Sequence, residues 1–207
     1  VFFFRGRTAK PVLMGKANAW GLRDVRSVVL TEAKTMYAGG ISSFKTPQTF
    51  MQIHTMAYNT GTGLYSQTDW FTNSGFSFGI SKLVLEEIGA PPTTSYLYYL
   101  KNQPQYTLNR LDVTIPVTSG SAVSPVTSPT VDSYISESMA ISQGQVIVWG
   151  WTSTNMQFVD KTAMTITTTL TGSVSPGAFV MDNLNPDQIF LSRIASPYGL
   201  HRTIVDM

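Results

Sequence analysis

Hydrophobic and polar side chains alternate along much of this chain. From Leu111 to Thr118, every odd position is apolar and no even position carries a large aliphatic side chain. From residue 164 to 171, Met, Ile, Thr and Leu alternate with threonine. A period of two is that of a β-strand with one buried face, so both segments are predicted to be strands. Pro116 cannot donate a ladder hydrogen bond, which places the first strand at a sheet edge or a bulge.

Other segments are apolar without alternation. Residues 145–151 form a run that is apolar after Gln145, which is typical of a strand buried on both faces. Residues 50–58 are predicted to be a strand that ends in the turn cluster 59–63. Further strands are predicted at 26–30, 96–100 and 178–181.

Two short helices are predicted in the connections. The first has apolar side chains at helical spacing, followed by Gly89 as a cap, and these side chains are Ile80, Leu83, Val84 and Ile88. The second begins at Asn185-Pro186, with Asn as the N-cap and Pro as the first helical residue.

Many short strands, turns between them and few helices predict an all-β fold, an antiparallel β-sandwich of jelly-roll type. Residues 107–175 show no helical period, which argues against an α/β fold. No internal repeat with a period of roughly 20–50 residues is visible. We therefore expect a basic N-terminal segment over residues 1–26 and a single domain over 27–207.

The composition favours a protein that works by assembly or binding over one that catalyses a reaction. Only 13% of the 207 residues are charged, so much of the polar surface must be Ser, Thr, Asn and Gln. Such a surface suits protein interfaces, although an ordinary Ser/Thr-rich β-domain would share it. The absence of cysteine excludes disulfides and Cys-based metal sites. No run approaches the roughly 20 apolar residues of a membrane span. Because the chain begins with Val, we expect that a preceding segment has been removed.

Positive charge is concentrated at the start of the chain. Residues 1–26 carry six basic side chains and one acidic one, a net charge of +5. The rest of the chain carries 8 basic and 11 acidic groups, a net charge of −3. Such an end can contact nucleic-acid phosphates or can simply be solvated. The candidate nucleic-acid-facing residues are Arg5, Arg7, Lys10, Lys16, Arg23 and Arg26.

A segment rich in Ser, Pro and Gly extends from residue 119 to 130. Such a composition predicts an exposed loop. Its candidate exposed residues are Ser119, Ser121, Ser124 and Ser128.

One motif resembles a catalytic one. Residues 75–79 match G-x-S-x-G around Ser77, and Asp182, Asp187 and His201 follow in the order of an α/β-hydrolase triad. The motif should follow a buried apolar strand, whereas here it follows the polar stretch 69–74. A serine esterase is therefore the least favoured function, and we predict no catalytic residues.

The sequence predicts no metal site and no cofactor. His54 and His201 are far apart, and no metal-ligand spacing is present. Glu86 and Glu87 are adjacent, and neighbours on the predicted helix would point in different directions into solvent.

The basic segment, the β-rich body, the helix at 80–88 and the loop at 119–130 together resemble the jelly-roll coat proteins of small icosahedral viruses, including picorna-like ones. The resemblance implies a capsid subunit that assembles with copies of itself or related subunits into a shell, located in the virion. It also implies that the basic segment faces viral nucleic acid. The alternative is a phage or bacterial fibre or adhesin-type β-sandwich that binds a receptor or glycan.

Overall fold

The fold is given by a computed structural model that describes most of the chain. The described residues are 2–5, 12–16, 22–42, 51–72, 80–102, 106–115, 126–131, 136–142, 144–150, 155–171, 176–181, 188–193 and 199–204. All regular elements in these ranges are β-strands, and the paired strands are antiparallel. The predicted all-β, antiparallel class is confirmed. These ranges contain no helix long and apolar enough to cross a bilayer.

The described strands form five sheets. Sheet 1 comprises β1 (Phe2–Arg5) and β2 (Val12–Lys16). Sheet 2 comprises β3 (Leu22–Leu30), β4 (Thr35–Ser42), β5 (Met51–Asn59) and β6 (Leu64–Thr72). Sheet 3 comprises β7 (Ile80–Gly89), β8 (Pro92–Asn102), β9 (Tyr106–Asp112) and β10 (Val126–Thr130). Sheet 4 comprises β11 (Ser136–Ile141), β12 (Gln145–Gly150), β13 (Asn155–Asp160) and β14 (Ile166–Thr171). Sheet 5 comprises β15 (Pro176–Met181), β16 (Gln188–Arg193) and β17 (Gly199–Ile204).

Sheets 2 to 5 are meanders, in which strands that follow one another in sequence are neighbours. Their first strands begin at Leu22, Ile80, Ser136 and Pro176, so a similar unit recurs along the chain. A jelly roll instead contains Greek-key connections, which bring strands distant in sequence side by side. Among the described strands only consecutive ones pair, so the jelly-roll arrangement is not confirmed.

Successive sheets contact one another through their first strands. β3 lies against β7, β7 against β11, and β11 against β15. Ser27 joins β3 to β7. Its Oγ accepts a hydrogen bond from the Leu83 backbone N–H at 2.9 Å and lies 3.4 Å from the Leu83 carbonyl oxygen. The register of β3 shifts between Val25 and Ser27, and that of β7 between Ile80 and Leu83. A serine hydroxyl thus links two irregular edge strands of different sheets.

Sheet 3 is buried on both faces by two hydrophobic clusters. Leu97 and Tyr99 of β8 face sheet 2, whereas Tyr98 and Leu100 face sheet 4, as the two-residue period of a strand requires. The cluster between sheets 2 and 3 contains Tyr37, Ile53, Leu83, Leu97, Tyr99, Leu111 and Val113. The cluster between sheets 3 and 4 contains Tyr98, Leu100, Leu108, Val131, Met139, Val146, Val148, Val159 and Met164.

The helix predicted over residues 80–88 is wrong, because this segment is strand β7. Leu83 and Leu85 pack toward sheet 2 while Val84 packs toward sheet 4. A strand covered on both faces is apolar at consecutive positions, and the bulge after Ile80 shifts its phase, so the spacing imitates a helix. The second predicted helix, at residues 185–186, lies outside the described residues.

The strand predicted for residues 111–118 is wrong at residues 113–115, because β9 ends at Asp112. The Asp112 Oδ1 atom accepts a hydrogen bond from the Thr114 N–H at 2.9 Å, which turns the chain away from the sheet. Val113 stays buried, whereas Ile115 is 82% exposed. Residues 116–118 lie outside the described part of the chain.

Candidate binding cleft

Four of the six basic residues that the sequence predicted to face nucleic acid lie in described strands. Arg5 pairs with Val12 and Lys16 pairs with Phe2, so these two residues lie at opposite ends of sheet 1. Arg23 and Arg26 lie in β3, the first strand of sheet 2, and the predicted boundary between residues 26 and 27 falls inside that strand. Arg7 and Lys10 lie outside the described residues.

The predicted loop at 119–130 is wrong in its last five residues. Val126–Thr130 form β10, which pairs with β9, so Ser128 belongs to a strand. Ser119, Ser121 and Ser124 lie outside the described residues.

The residues of the catalytic-like motif fall mostly outside the described part of the chain. Ser77, Asp182 and Asp187 lie outside the described residues, while His201 lies in β17 and His54 in β5. Within the described ranges, no group of three or more His, Cys, Asp or Glu side chains could hold a metal ion.

A cleft that the sequence did not predict lies at the junction of sheets 2 and 3. Its volume is about 400 Å³. It is bounded by the β3–β4 turn, the β7–β8 turn and the chain that leaves β9. The lining residues are Thr31, Glu32, Ala33, Thr35, Tyr37, Glu87, Pro91, Pro92, Thr93, Ser95, Val113 and Thr114.

One wall of the cleft is the tight turn between β3 and β4. The Thr31 Oγ1 atom accepts a hydrogen bond from the Thr35 N–H at 2.9 Å, and the Lys34 N–H donates to the Thr31 carbonyl at 2.9 Å. Lys34 has a φ of 64°, and its ammonium lies 5.3 Å from the centre of the Tyr58 ring. The cation therefore sits over an aromatic ring beside the cleft, and Lys34 is not one of the residues that line it.

Glu87 of β7 connects this turn to sheet 3. The Glu32 backbone N–H donates to both carboxylate oxygens of Glu87, at 3.1 and 3.0 Å. A hydrogen bond to an ionised acceptor is stronger than a neutral one, so this contact fixes the turn against β7. The carboxylate retains further lone pairs after this bond.

Tyr37 of β4 forms part of the cleft from within the core. It is only 1% exposed, packs in the cluster between sheets 2 and 3, and also lines the cleft. Burial, together with the negative charge of Glu87, raises the pKa of Tyr37 to about 12. The phenol is therefore neutral at physiological pH and can both donate and accept hydrogen bonds.

The opposite wall is built from the ends of β8 and β9. The Ser95 N–H donates to the Thr114 Oγ1 at 3.0 Å, and the Val113 N–H donates to the Ser95 carbonyl at 2.9 Å. Gly89 has a φ of +100°, and a Cβ there would lie 3.0 Å from the Pro91 carbonyl oxygen. Pro91, Pro92 and Val113 give this wall an apolar character beside its hydroxyl groups.

A second polar cluster joins sheet 3 to sheet 4. Glu86 forms an ion pair with Lys161 and accepts a hydrogen bond from the Tyr98 hydroxyl at 3.0 Å. Arg110 donates to the Lys161 carbonyl and lies 5.2 Å from the centre of the Tyr96 ring. Burial, then the Glu86 carboxylate, raises the pKa of Tyr98, with Arg110 opposing the shift. The polar groups of this cluster bind one another and hold the β13–β14 turn against sheet 3.

Comparison with known proteins identifies the fold alone. No family model matches the sequence, and no curated protein matches it. Solved structures similar to the chain include the WD40 domain of Neurospora crassa Pan2, with a TM-score of 0.53 at 10% sequence identity. The match covers 82% of this chain and 43% of the Pan2 chain, so the present chain spans less than half of that length. WD40 domains are β-propellers, in which four-stranded sheets repeat around a central axis.

Proposed function

We propose that this chain is a non-catalytic binding module of β-propeller type, and that its cleft between sheets 2 and 3 holds a segment of a partner protein. The proposal is supported by the likeness in fold and by the consecutive four-stranded meanders. Because a fold alone does not set a function, the main support comes from the cleft itself.

The observation that carries the proposal is the position of Tyr37. A tyrosine buried this deeply normally satisfies its hydroxyl within the core. Here the side chain lines an open cleft of about 400 Å³, and no hydrogen bond joins its hydroxyl to any described residue. Both apolar and hydrogen-bonding groups line this cleft, which is the composition of a ligand-binding cleft.

Selection of peptides tests this proposal. Phage-displayed random peptides would be selected on the purified chain, and hydrogen–deuterium exchange would map where an enriched peptide binds. We expect slower exchange at residues 31–37 and 93–95. Failure to enrich any peptide, or protection confined to other segments, would contradict the proposal.

A capsid subunit of jelly-roll type is the second proposal. It is supported by the 13% charged residues and by the net charge of +5 over residues 1–26. Size-exclusion chromatography with negative-stain microscopy tests it: closed particles support a shell, and a monomer contradicts it. Neutralising Arg5, Arg7 and Lys10 should then abolish salt-dependent retention of nucleic acid, and unchanged retention would remove the genome-facing role.

A further inference from the structure

The cleft carries negative charge without a lining cation. Its two ionisable acids are Glu32 at the lip and Glu87 at the wall, and no basic side chain is among its described lining residues. Lys34, the neighbouring cation, lies over the Tyr58 ring. The electrostatic potential of the cleft therefore favours a positively charged occupant.

The hydrogen-bonding groups in the cleft are rich in acceptors. Glu87 accepts the Glu32 backbone N–H across its two oxygens, which leaves lone pairs for a further donor. The Tyr37 hydroxyl adds another acceptor at the buried side of the cleft. Tyr37 and Glu87 line the same cleft, and the charge of Glu87 contributes to the raised pKa of Tyr37. Acceptors of this kind match an ammonium or guanidinium group, which only donates.

The apolar wall suits the stem of such a group. Pro91, Pro92 and Val113 line the same cleft as the two carboxylates. Lysine and arginine side chains place an aliphatic stem along apolar surface and hold the charged head at a polar end. A metal ion lacks a stem, and the described lining offers only two carboxylates to coordinate one.

We propose that the cleft recognises a lysine or arginine side chain of the partner segment, with the cation between Glu87 and the Tyr37 hydroxyl and the stem on Pro91, Pro92 and Val113. This inference rests on the proposed function of the cleft and adds the chemistry of the residue that it binds. Glu32 at the lip attracts the cation during entry.

Small probes test the inference without a selected peptide. Nα-acetyl-lysine methylamide and its uncharged norleucine counterpart would be titrated at millimolar concentration into the ¹⁵N-labelled chain. The Glu32 amide is the most direct reporter, because it is bonded to the Glu87 carboxylate. We expect shifts at the Glu32 and Ser95 amides with the lysine probe and none with the norleucine probe.

Three variants complete the test. Glu87→Gln keeps an acceptor for the Glu32 N–H but removes the charge, and it should weaken the lysine probe by about tenfold or more. Ala33→Lys places a competing cation in the cleft and should have a similar effect. The matched Ala163→Lys, in the exposed β13–β14 turn, should have no effect.

The outcomes separate the inference from the proposed function. If a selected peptide binds at the cleft but loses no affinity on Glu87→Gln or on replacement of its lysine or arginine by norleucine, the cationic inference is wrong and the binding function stands. If no peptide binds at the cleft and the lysine probe shifts no cleft amide, both are wrong.

Discussion

Glu86 and Glu87 are adjacent in sequence and bind opposite neighbours of sheet 3. Glu86 pairs with Lys161 at the β13–β14 turn of sheet 4, whereas Glu87 accepts the Glu32 N–H from the β3–β4 turn of sheet 2. Successive side chains of a strand point to opposite faces, so two consecutive carboxylates on β7 reach two different sheets. One carboxylate belongs to a closed structural cluster and the other to an open cleft.

The ion pair of Glu86 should contribute measurably to stability. The Glu86 and Lys161 side chains are 15% and 17% exposed, so Lys161→Met would leave a largely buried carboxylate without its cation. We expect a loss of about 2–3 kcal/mol in the free energy of unfolding. Urea titration measures it, with Lys34→Met as the control for removal of an exposed cation. A loss no larger than that of the control would show that the pair is unimportant.

Ser27 should be needed to join sheets 2 and 3. Ser27→Ala removes the group that accepts the Leu83 N–H, in a part-buried position. An unsatisfied donor of this kind costs about 1–2 kcal/mol. Thr169→Ala, which removes an exposed hydroxyl from β14, is the comparison variant. Equal unfolding midpoints in urea for the two variants would contradict this role of Ser27.

The raised pKa of Tyr37 predicts that the fold loses stability at alkaline pH. Its folded-state pKa of about 12 lies above the ordinary value of 10, so the stabilisation is complete below pH 10 and is lost as the pH rises to 12. Tyr37→Phe has no ionisable group at this position and should lose less stability over this range. Tyr98, whose pKa is also raised, keeps part of the slope. Thermal unfolding from pH 9 to 12 checks this, and parallel curves for parent and variant would contradict it.

The lowered pKa of Asp160 predicts that the stability of the fold decreases in acid. Hydrogen bonds from the Ala163 and Thr162 N–H groups to its carboxylate hold the pKa of Asp160 below its usual value. A lowered pKa gives stabilisation that is present above the ordinary value of 3.8 and is lost as the pH falls through the folded-state value. Asp160→Asn should therefore reduce the fall in melting temperature as the pH drops below 3.8, the ordinary pKa of an aspartate. An unchanged acid profile would show that the turn does not depend on the charge.

The sequence predicts a strand well where its residues share one environment, for example where all of them are buried. The segment predicted over residues 145–151 is apolar after Gln145 because β12 lies inside its sheet with both faces covered. Val146, Ile147 and Val148 are each at most 1% exposed. The strand predicted at 50–58 ends at a turn, and the Asn59 Oδ1 atom does accept the Gly61 and Thr62 N–H groups there. Local pattern is sufficient in both cases.

The architecture is hard to see in the sequence because its repeat is long. Sheets 2, 3 and 4 begin at Leu22, Ile80 and Ser136, so the first two units are longer than the roughly 20–50 residues after which known repeats recur. The helical spacing of the segment 80–88 also hides the first strand of sheet 3. Without that strand, the succession of four-stranded meanders cannot be recognised.

The cleft cannot be predicted from local sequence. Glu32, Glu87 and Thr114 come together only because β3, β7 and β9 end at the same junction. The available signal is the Glu86-Glu87 pair, which the predicted helix places in solvent. On a strand covered on both faces, the same pair predicts two inter-sheet contacts.

The binding affinity of a selected peptide for two matched variants tests the central claim most directly. Ala33→Trp fills the cleft from its lip, and Ala163→Trp adds the same bulk to the exposed β13–β14 turn of sheet 4. We predict that the dissociation constant rises about tenfold or more for Ala33→Trp, which corresponds to about 1.4 kcal/mol, and stays at the parent value for Ala163→Trp. Equal dissociation constants for the parent and both variants would contradict the assignment of this cleft as the binding site.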